Sequence, residues 1–202
     1  MPKSLYLASQ SPRRLELLRQ IGLAPVVLPL RHAQPRADVD ETPRPGEKAL
    51  PYVQRLARMK AESGVLALAG RRLPIMPILA ADTTVTLDGE ILGKPADAAE
   101  AAAMLRRYSG RVHSVLTAVG VAYRDRIEVA VSESEVRFHT LTEAEIAAYV
   151  NSNEPFDKAG GYGIQGRAAI FVAHLAGSYS GVMGLPLFET AELLKAVGFE
   201  VL

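Results

Sequence analysis

The chain has 202 residues, of which 49% are hydrophobic, and its 23 basic and 22 acidic side chains leave a net charge of +1. This balance excludes a general binder of nucleic acids or other polyanions, which needs a strong basic excess, but it permits one small anionic ligand held by a local cluster. The absence of cysteine excludes disulfides, thiolate nucleophiles and zinc–thiolate sites, and His32, His113, His139 and His174 are too dispersed for a histidine zinc motif.

The N-terminal segment MPKSLYLASQ has no long apolar stretch of the kind that signal peptides contain. No apolar run elsewhere in the chain approaches the roughly 20 residues that are needed to cross a bilayer. We therefore expect a cytoplasmic protein that has no membrane partner.

The first two predicted elements are a strand and a helix. Residues 4–8 form a short apolar run, which predicts a strand. Ser11-Pro12 then has the pattern of an N-cap followed by proline at the first helical position, where the missing N–H has no consequence. We expect this helix to end at Gly22.

Two specific local signals occur further along the chain. Asp88-Gly89 lies between extended segments and predicts a type I′ hairpin. Thr142 and Glu145 predict a capping box at the start of a helix. The other predicted elements, in chain order, are a strand at 25–30, a polar loop at 31–46, a helix at 47–63, a buried strand at 75–81, a helix at 97–110, strands at 112–123 and 126–140, a helix at 143–151, a glycine-rich loop at 153–166, a strand at 168–177 and a helix at 185–198.

This order of helices and strands predicts a mixed α/β fold. Long antiparallel hairpins indicate one elongated, twisted sheet with flanking helices, and we expect two lobes arranged around it. No internal repeat and no separable linker is visible, so residues 1–202 are predicted to form a single domain.

The stretch LASQSPRR, residues 7–14, predicts an anion site. Arg13 and Arg14 fall in the first turn of the predicted helix, where the helix dipole already presents positive partial charge. The hydroxyls of Ser9 and Ser11 and the free N–H groups of the turn add further donors. A capped surface helix with two solvated arginines explains the spacing equally well.

Two further polar residues follow predicted strands. Asp82 in ADTTV comes directly after a buried apolar strand, so we expect it at the end of that strand in a cleft. Lys94 in GKP is held between glycine and proline just after the predicted hairpin. Taken singly, a turn-forming aspartate and a solvated turn lysine are the simpler interpretations.

The stretch DKAGGYGIQG matches the pattern GxGxxG at Gly161, Gly163 and Gly166. A dinucleotide-binding motif needs a strand before it and a helix after it, and neither is predicted here. The density of glycine still indicates that the backbone approaches something closely, either a neighbouring strand or a nucleotide.

Five motifs occur in order along the chain, and together they resemble one protein family. These motifs are LASQSPRR, ADTTV, ILGKP, EPFDKAGGYGIQG and SYSGVMGLPLFET. They resemble the Maf family of nucleoside triphosphate pyrophosphatases, and the similarity runs from about Leu5 to the end of the chain.

The resemblance implies a two-lobed α/β fold around a central nucleotide-binding cleft, and a homodimer. It implies a reaction that depends on a divalent metal, Mg²⁺ or Mn²⁺, and converts a nucleoside triphosphate and water to the monophosphate and pyrophosphate. Asp82 matches the family's proposed general base, and Glu41 would join it in binding the metal. The other residues that match the family's phosphate-binding and polar positions are Ser9, Arg13, Arg14, Lys60 and Lys94.

Three positions resemble the branch of the family that hydrolyses dTTP and UTP. They are Arg13, Thr83 and Gln165. In the branch that acts on 7-methyl-GTP, an aromatic residue replaces the first arginine and the glycine-rich loop differs. We therefore expect Thr83 and Gln165 to recognise the edge of a pyrimidine base.

The chain departs from the family pattern in two places. The loop at 31–38 is longer than usual, which affects the placement of Glu41. Asn153 stands where the family has glycine before the EP dipeptide, and we expect the turn to survive because asparagine tolerates left-handed conformations.

Three other functional hypotheses remain open at this point. The same hydrolysis could act on 7-methyl-GTP or a modified pyrimidine nucleotide. The chain could instead be a nucleotide-binding regulator of septum formation with little turnover, a role associated with the family. Finally, it could be a scaffold whose arginines are surface charge.

Overall fold

The computed structural model describes residues 3–31 and 38–201, and six residues of the predicted loop, 32–37 with His32 among them, lie outside the described part. The strands are β1 (Ser4–Leu7), β2 (Ala24–Val27), β3 (Ile78–Leu87), β4 (Glu90–Leu92), β5 (Val112–Tyr123), β6 (Arg126–Phe138) and β7 (Val172–Ala176). The α-helices are α1 (Pro12–Gln20), α2 (Ala49–Gly70), α3 (Ala98–Tyr108), α4 (Glu143–Val150), α5 (Tyr179–Met183) and α6 (Leu187–Ala196).

The described strands form one mixed seven-stranded sheet. Its order is β2-β1-β3-β5-β6-β7, and β4 pairs with part of β3. β1 pairs in parallel with β2 and β3, whereas all other pairs are antiparallel. The mixed α/β fold predicted from the sequence is therefore confirmed.

The predicted turn and cap signals are confirmed by the backbone. The Ser11 side chain accepts a hydrogen bond from the Arg14 amide at the start of α1. Thr142 and Glu145 form both hydrogen bonds of a capping box at α4. Asp88 and Gly89 both have positive φ angles, 55° and 82°, as a type I′ turn requires.

The expected position of Asp82 at the end of a strand is wrong. β3 continues through the ADTTV motif to Leu87, and Asp82 pairs with Ala118 of β5 in the middle of the strand. The other edge of β3 explains why this position is still open to a ligand. β1 pairs with β3 only as far as Leu79, and β4 pairs with it only from Val85 onward. Between these points one edge of β3 has no strand neighbour among the described residues.

Helices cover the two faces of the sheet. On one face α2 packs against β5 closely enough that a Cβ atom on Gly120 would meet the Ala57 carbonyl oxygen at 3.0 Å. On the other face, leucines of α1 and α6 form a buried cluster with apolar side chains of β1, β3 and β5. A further aromatic-rich cluster fills the space between α3, α4 and the far ends of β5 and β6.

Two predicted boundaries are wrong. The second helix continues past Ser63 to Gly70 because Gly64 lies inside it, where a Cβ atom would be 2.8 Å from the Ile78 side chain. Glycine at this position therefore permits close packing and does not end the helix. The predicted strand at 168–177 begins only at Val172, after a 3-10 helix at Arg167–Phe171.

Two short features of the C-terminal half concern the predicted motifs. The sequence predicted no helix in SYSGVMG, yet α5 forms there, capped by the Ser178 side chain. Asn153 has a φ angle of 61°, so the expected left-handed turn is present without glycine. None of the helices in the described ranges is long and apolar enough to span a bilayer.

Candidate active site

A cleft of about 920 Å³ opens where β1 ends beside β3. Its walls are the segment from β1 into α1, the open edge of β3, the loop after β4, the glycine-rich loop and the end of α5. The structure brings all nine predicted site residues together in its lining: Ser9, Arg13, Arg14, Glu41, Lys60, Asp82, Thr83, Lys94 and Gln165.

Lys60 joins the two predicted acidic residues. Its ammonium lies 2.7 Å from Asp82 Oδ1 and 2.8 Å from Glu41 Oε1. The side chains of Lys60 and Asp82 are each 11% exposed, whereas that of Glu41 is 48% exposed. Considered alone, Lys60 is most simply interpreted as a surface charge. Its burial on α2 contradicts that interpretation. Lys60 therefore bridges the two carboxylates at the base of the cleft.

Arg14 is held by three protein oxygens. Its Nε donates to the Gly184 carbonyl at 2.7 Å, one terminal nitrogen donates to Ser9 Oγ at 3.2 Å, and the other donates to Thr83 Oγ1 at 3.3 Å. A guanidinium has five N–H groups, so one on each terminal nitrogen remains for a ligand. Burial lowers the pKa of Arg14, the charge of Asp82 opposes this, and the group remains a cation at neutral pH. The arrangement suits bidentate binding of a phosphate.

The hydroxyl of Thr83 belongs to a chain of hydrogen bonds. It lies 3.0 Å from the hydroxyl of Thr117 on the paired strand β5, and Thr117 Oγ1 lies 2.7 Å from the Gly181 carbonyl oxygen. Thr117 Oγ1 donates towards both the Gly181 carbonyl and Thr83 Oγ1, so Thr83 is the acceptor of this pair. Thr83 also accepts from Arg14. Because both of these contacts are accepted, the hydroxyl proton of Thr83 remains available to be donated to a ligand.

Arg13 points away from Arg14, as the helical rotation between successive residues requires. One of its terminal nitrogens lies 3.9 Å from Asp157 Oδ2. Asp157 Oδ1 is 2.5 Å from the Lys158 ammonium, which also donates to the Glu154 carbonyl oxygen at 2.7 Å. These contacts connect the first helix to the glycine-rich loop across the cleft.

Lys94 and Gln165 are exposed in the lining of the cleft. Lys94 makes no ion pair with any residue that the structure describes. Its loop is tied to the glycine-rich loop by a hydrogen bond of 2.8 Å from the Gly160 amide to the Gly93 carbonyl. Both side chains are placed to contact a ligand that enters from solvent.

The glycine-rich loop approaches protein and is not part of a dinucleotide-binding motif. Gly160 has a φ angle of 73°, and a Cβ atom there would lie 2.6 Å from Cγ2 of Val85 on β3. Of the two explanations that the sequence left open for the glycine density, the close approach to a neighbouring strand is the correct one at this position. The 3-10 turns on either side confirm that no strand–helix context surrounds the GxGxxG pattern.

Several lining residues were missed by the sequence analysis. Lys158 lines the cleft as a further cation, and the Gly184 carbonyl orients Arg14. The Tyr52 hydroxyl donates to the Glu41 carbonyl at 2.9 Å, and burial, with the charges of Asp82 and Glu41 adding to it, raises the pKa of Tyr52 to about 12. The motifs EPFDKAG and SYSGVMG were the signals for the first two, but their spacing does not show which residues face the cleft.

The carboxylates of Asp82 and Glu41 fit a divalent cation in part. Within the described ranges, no three His, Asp or Glu side chains converge as a complete metal site. Mg²⁺ in nucleotide enzymes is commonly bound by one or two carboxylates together with substrate phosphates and water. The protein therefore supplies the two carboxylate ligands of such a site, and a triphosphate and water would have to supply the others.

Comparison with known proteins agrees with the motifs. A family model described as Maf-like protein matches residues 4–197. The chain belongs to the Maf family. A dTTP/UTP pyrophosphatase of Dechloromonas aromatica is 56% identical over 200 residues, which cover 98% of this chain and 99% of that relative. A dTTP/UTP pyrophosphatase of Ralstonia nicotianae is 59% identical over 191 residues, covering 94% and 92%.

The fold is also found in a solved structure outside this group. A HAM1 protein from Coxiella burnetii is 17% identical, covers 96% of this chain and 99% of its own, and superposes with a TM-score of 0.50. At this identity the likeness concerns the fold alone, and it agrees with the mixed sheet and flanking helices of the Maf family member described above.

Proposed function

We propose that this Maf family protein is a nucleoside triphosphate pyrophosphatase that hydrolyses dTTP and UTP to the monophosphate and pyrophosphate. Relatives named dTTP/UTP pyrophosphatase match nearly the full length of the chain. The observation that carries the proposal is the buried Lys60–Asp82 pair at the base of a cleft that is lined by Arg13, Arg14 and Lys94. A carboxylate beside a group of cations is what attack of water on a polyphosphate requires.

Some residues act on the attacking water, and others act on the phosphates and the leaving pyrophosphate. Asp82 Oδ1 is engaged by Lys60, while Oδ2 accepts no hydrogen bond from any described residue, so it is the oxygen that orients the water. Water attacks the α-phosphorus, the bond from that phosphorus to the α,β-bridging oxygen breaks, and a proton of the water passes to Asp82. Arg13, Arg14 and Lys94 neutralise the phosphates, and pyrophosphate leaves.

A divalent cation, Mg²⁺ or Mn²⁺, belongs to the proposal. Asp82 and Glu41 are the residues that would hold it, and when bound it neutralises charge on the phosphate oxygens. Lys60 keeps the two carboxylates together in the protein described here, which brings the protein's oxygen ligands close to each other.

The base is recognised at Thr83 and Gln165. Because the hydroxyl proton of Thr83 is available to be donated, it suits the O4 carbonyl oxygen of thymine and uracil, whereas cytosine carries an amino donor at that position. The Gln165 amide offers both a donor and an acceptor to the same edge. This polarity of Thr83 supports thymine and uracil over cytosine.

A panel of triphosphates tests the proposal. Pyrophosphate release should be fastest with dTTP and UTP and slower with dCTP and 7-methyl-GTP. Hydrolysis of 7-methyl-GTP alone would favour the other branch of the family, and nucleotide binding without pyrophosphate release in Mn²⁺ would favour the regulator. Failure to bind any nucleotide would favour the scaffold.

The homodimer and the cytoplasmic location implied at the start remain predictions. Sedimentation of the purified protein tests the first, and the second needs localisation in the cell.

A further inference from the structure

Gln165 lies on a tight turn that is held from behind by two residues outside the cleft. The turn is closed by a hydrogen bond of 3.0 Å from the Gly166 amide to the Gly163 carbonyl. Two residues before Gln165, the Gly163 amide donates to the Tyr149 hydroxyl at 3.2 Å. Two residues after it, the Arg167 amide donates to Glu154 Oε2 at 3.0 Å.

The two supports are joined to each other. The Tyr149 hydroxyl donates to Glu154 Oε1 at 3.0 Å, so one carboxylate receives both the tyrosine and the Arg167 amide. Gln165 lies between the two amides that are held. Tyr149 is buried, and its burial together with the bond to Glu154 raises the pKa of the phenol, which keeps the hydroxyl protonated as a donor.

The fit between the carboxylate and the turn is close. A Cβ atom on Gly166 would lie 2.6 Å from Glu154 Cδ, so glycine at this position is required for the carboxylate to reach the turn. The backbone of Glu154 is held in turn by the Lys158 side chain, whose ammonium donates to the Glu154 carbonyl at 2.7 Å. Neither Glu154 nor Tyr149 lines the cleft.

We propose that Glu154 and Tyr149 are positioning residues that orient the Gln165 turn and thereby set the selectivity of the cleft for the base. This inference rests on the proposed function. It assigns no contact with substrate to either residue, and both act through the backbone on each side of Gln165. A displacement of about 1 Å in such a turn is enough to weaken a hydrogen-bonded recognition by up to about a hundredfold.

The test compares Glu154→Gln and Tyr149→Phe with matched controls. Glutamine keeps the shape of glutamate but has only one acceptor oxygen, so it cannot accept from Tyr149 and Arg167 with both ends. Phenylalanine removes only the hydroxyl. The controls are Glu143→Gln, whose exposed carboxylate pairs with Arg106 on α3, and Tyr179→Phe at an exposed tyrosine outside the cleft.

The measurements are kcat/KM for dTTP and for dCTP, and the inhibition constant of inorganic tripolyphosphate, which has no base. We expect each variant to lower the dTTP to dCTP selectivity ratio by roughly tenfold through KM for dTTP, with tripolyphosphate inhibition unchanged. Adding either change to Gln165→Ala should lower the ratio no further. The two controls should match the wild type.

Three outcomes would overturn the proposal. Unchanged selectivity in both variants, with a wild type that hydrolyses dTTP, would overturn the positioning role alone. Equal losses for dTTP, dCTP and tripolyphosphate would indicate a general structural role instead. A wild type that releases no pyrophosphate from dTTP would overturn the proposed function and this inference with it. Tyr149→Phe keeps the test decisive if Glu154→Gln does not fold.

Discussion

Asp82 shows how the surroundings of one residue define its chemistry. The same carboxylate that pairs with the buried ammonium of Lys60 lies on an edge of β3 that has no strand neighbour in the described structure. It is therefore fixed in place by one oxygen and open to a ligand through the other.

Asp82→Asn should abolish turnover while the fold remains. The amide oxygen can still accept from Lys60, but an amide cannot take up a proton from water, and loss of a general base lowers rates by roughly 10² to 10⁴-fold. Pyrophosphate release at saturating dTTP and the melting temperature are the two measurements. Near-normal release in a folded variant would remove Asp82 from its proposed role.

Arg13→Ala tests the residue at which the substrate branches of the family differ. We expect a loss of about 2–4 kcal/mol of transition-state stabilisation, by analogy with removal of an oxyanion donor. The control is Arg19→Ala, an exposed arginine in the last turn of the same helix, which should leave kcat/KM unchanged. A change of only a few-fold in Arg13→Ala would argue against contact with the phosphates.

At the level of elements, the sequence predicts correctly those caps and turns that depend only on neighbouring residues. The caps at Ser11 and Thr142 and the Asp88-Gly89 turn depend on neighbouring residues alone, and all three are confirmed. The end of β1 beside β3 was not predictable, because strand pairing depends on residues distant in sequence. For the same reason the second helix was predicted to end at Ser63, just before Gly64, because the packing contact of Gly64 is with the distant Ile78.

Asn153 allows a test of the left-handed turn before the EP dipeptide. Asn153→Ala should destabilise the protein by about 1 kcal/mol, because a Cβ without a local hydrogen-bonding group is disfavoured at a φ angle of 61°. Asn153→Gly should change stability by only a few tenths of a kcal/mol. Denaturant unfolding measures both.

The matched control lies two residues earlier. Asn151 has a φ angle of −67°, so Asn151→Ala carries no such penalty and should be milder than Asn153→Ala. Equal effects of the two alanine variants would show that the left-handed conformation is not the cause.

At the level of the whole molecule, the cleft combines segments that lie far apart in the chain. The family resemblance carried by the five motifs nominated nine of the residues that line it. The contacts among them were not predictable: the sequence does not show that Lys60 is shared by two carboxylates, or that the Gly184 carbonyl orients Arg14. Such contacts follow from how α2 and α5 pack on opposite faces of the sheet.

The aromatic cluster beside the glycine-rich loop makes stability depend on pH. His113 is buried among Tyr108, Phe138 and Tyr162, and its Nε2 lies 2.7 Å from the Tyr162 hydroxyl. Burial lowers the pKa of His113 to about 4. Between about pH 6.5 and pH 4 the unfolded chain therefore binds a proton that the folded chain does not, so stability is complete above this window and falls as the pH drops through it.

The expected loss across this window is up to about 3 kcal/mol from His113. His113→Phe keeps an aromatic ring and removes the titrating group. The free energy of unfolding of this variant should fall less steeply from pH 6.5 to pH 4 than that of the wild type, and it should be lower than that of the wild type at neutral pH. Denaturant unfolding at several pH values measures the slopes. Parallel slopes in the two proteins would show that His113 does not contribute.

The products formed from dTTP in water enriched with ¹⁸O test whether water attacks the α-phosphorus. We expect dTMP and pyrophosphate, with the label in the phosphate of dTMP. Asp82→Asn should form neither product at a measurable rate. Formation of dTDP and labelled inorganic phosphate, or the label in pyrophosphate, would contradict attack at the α-phosphorus.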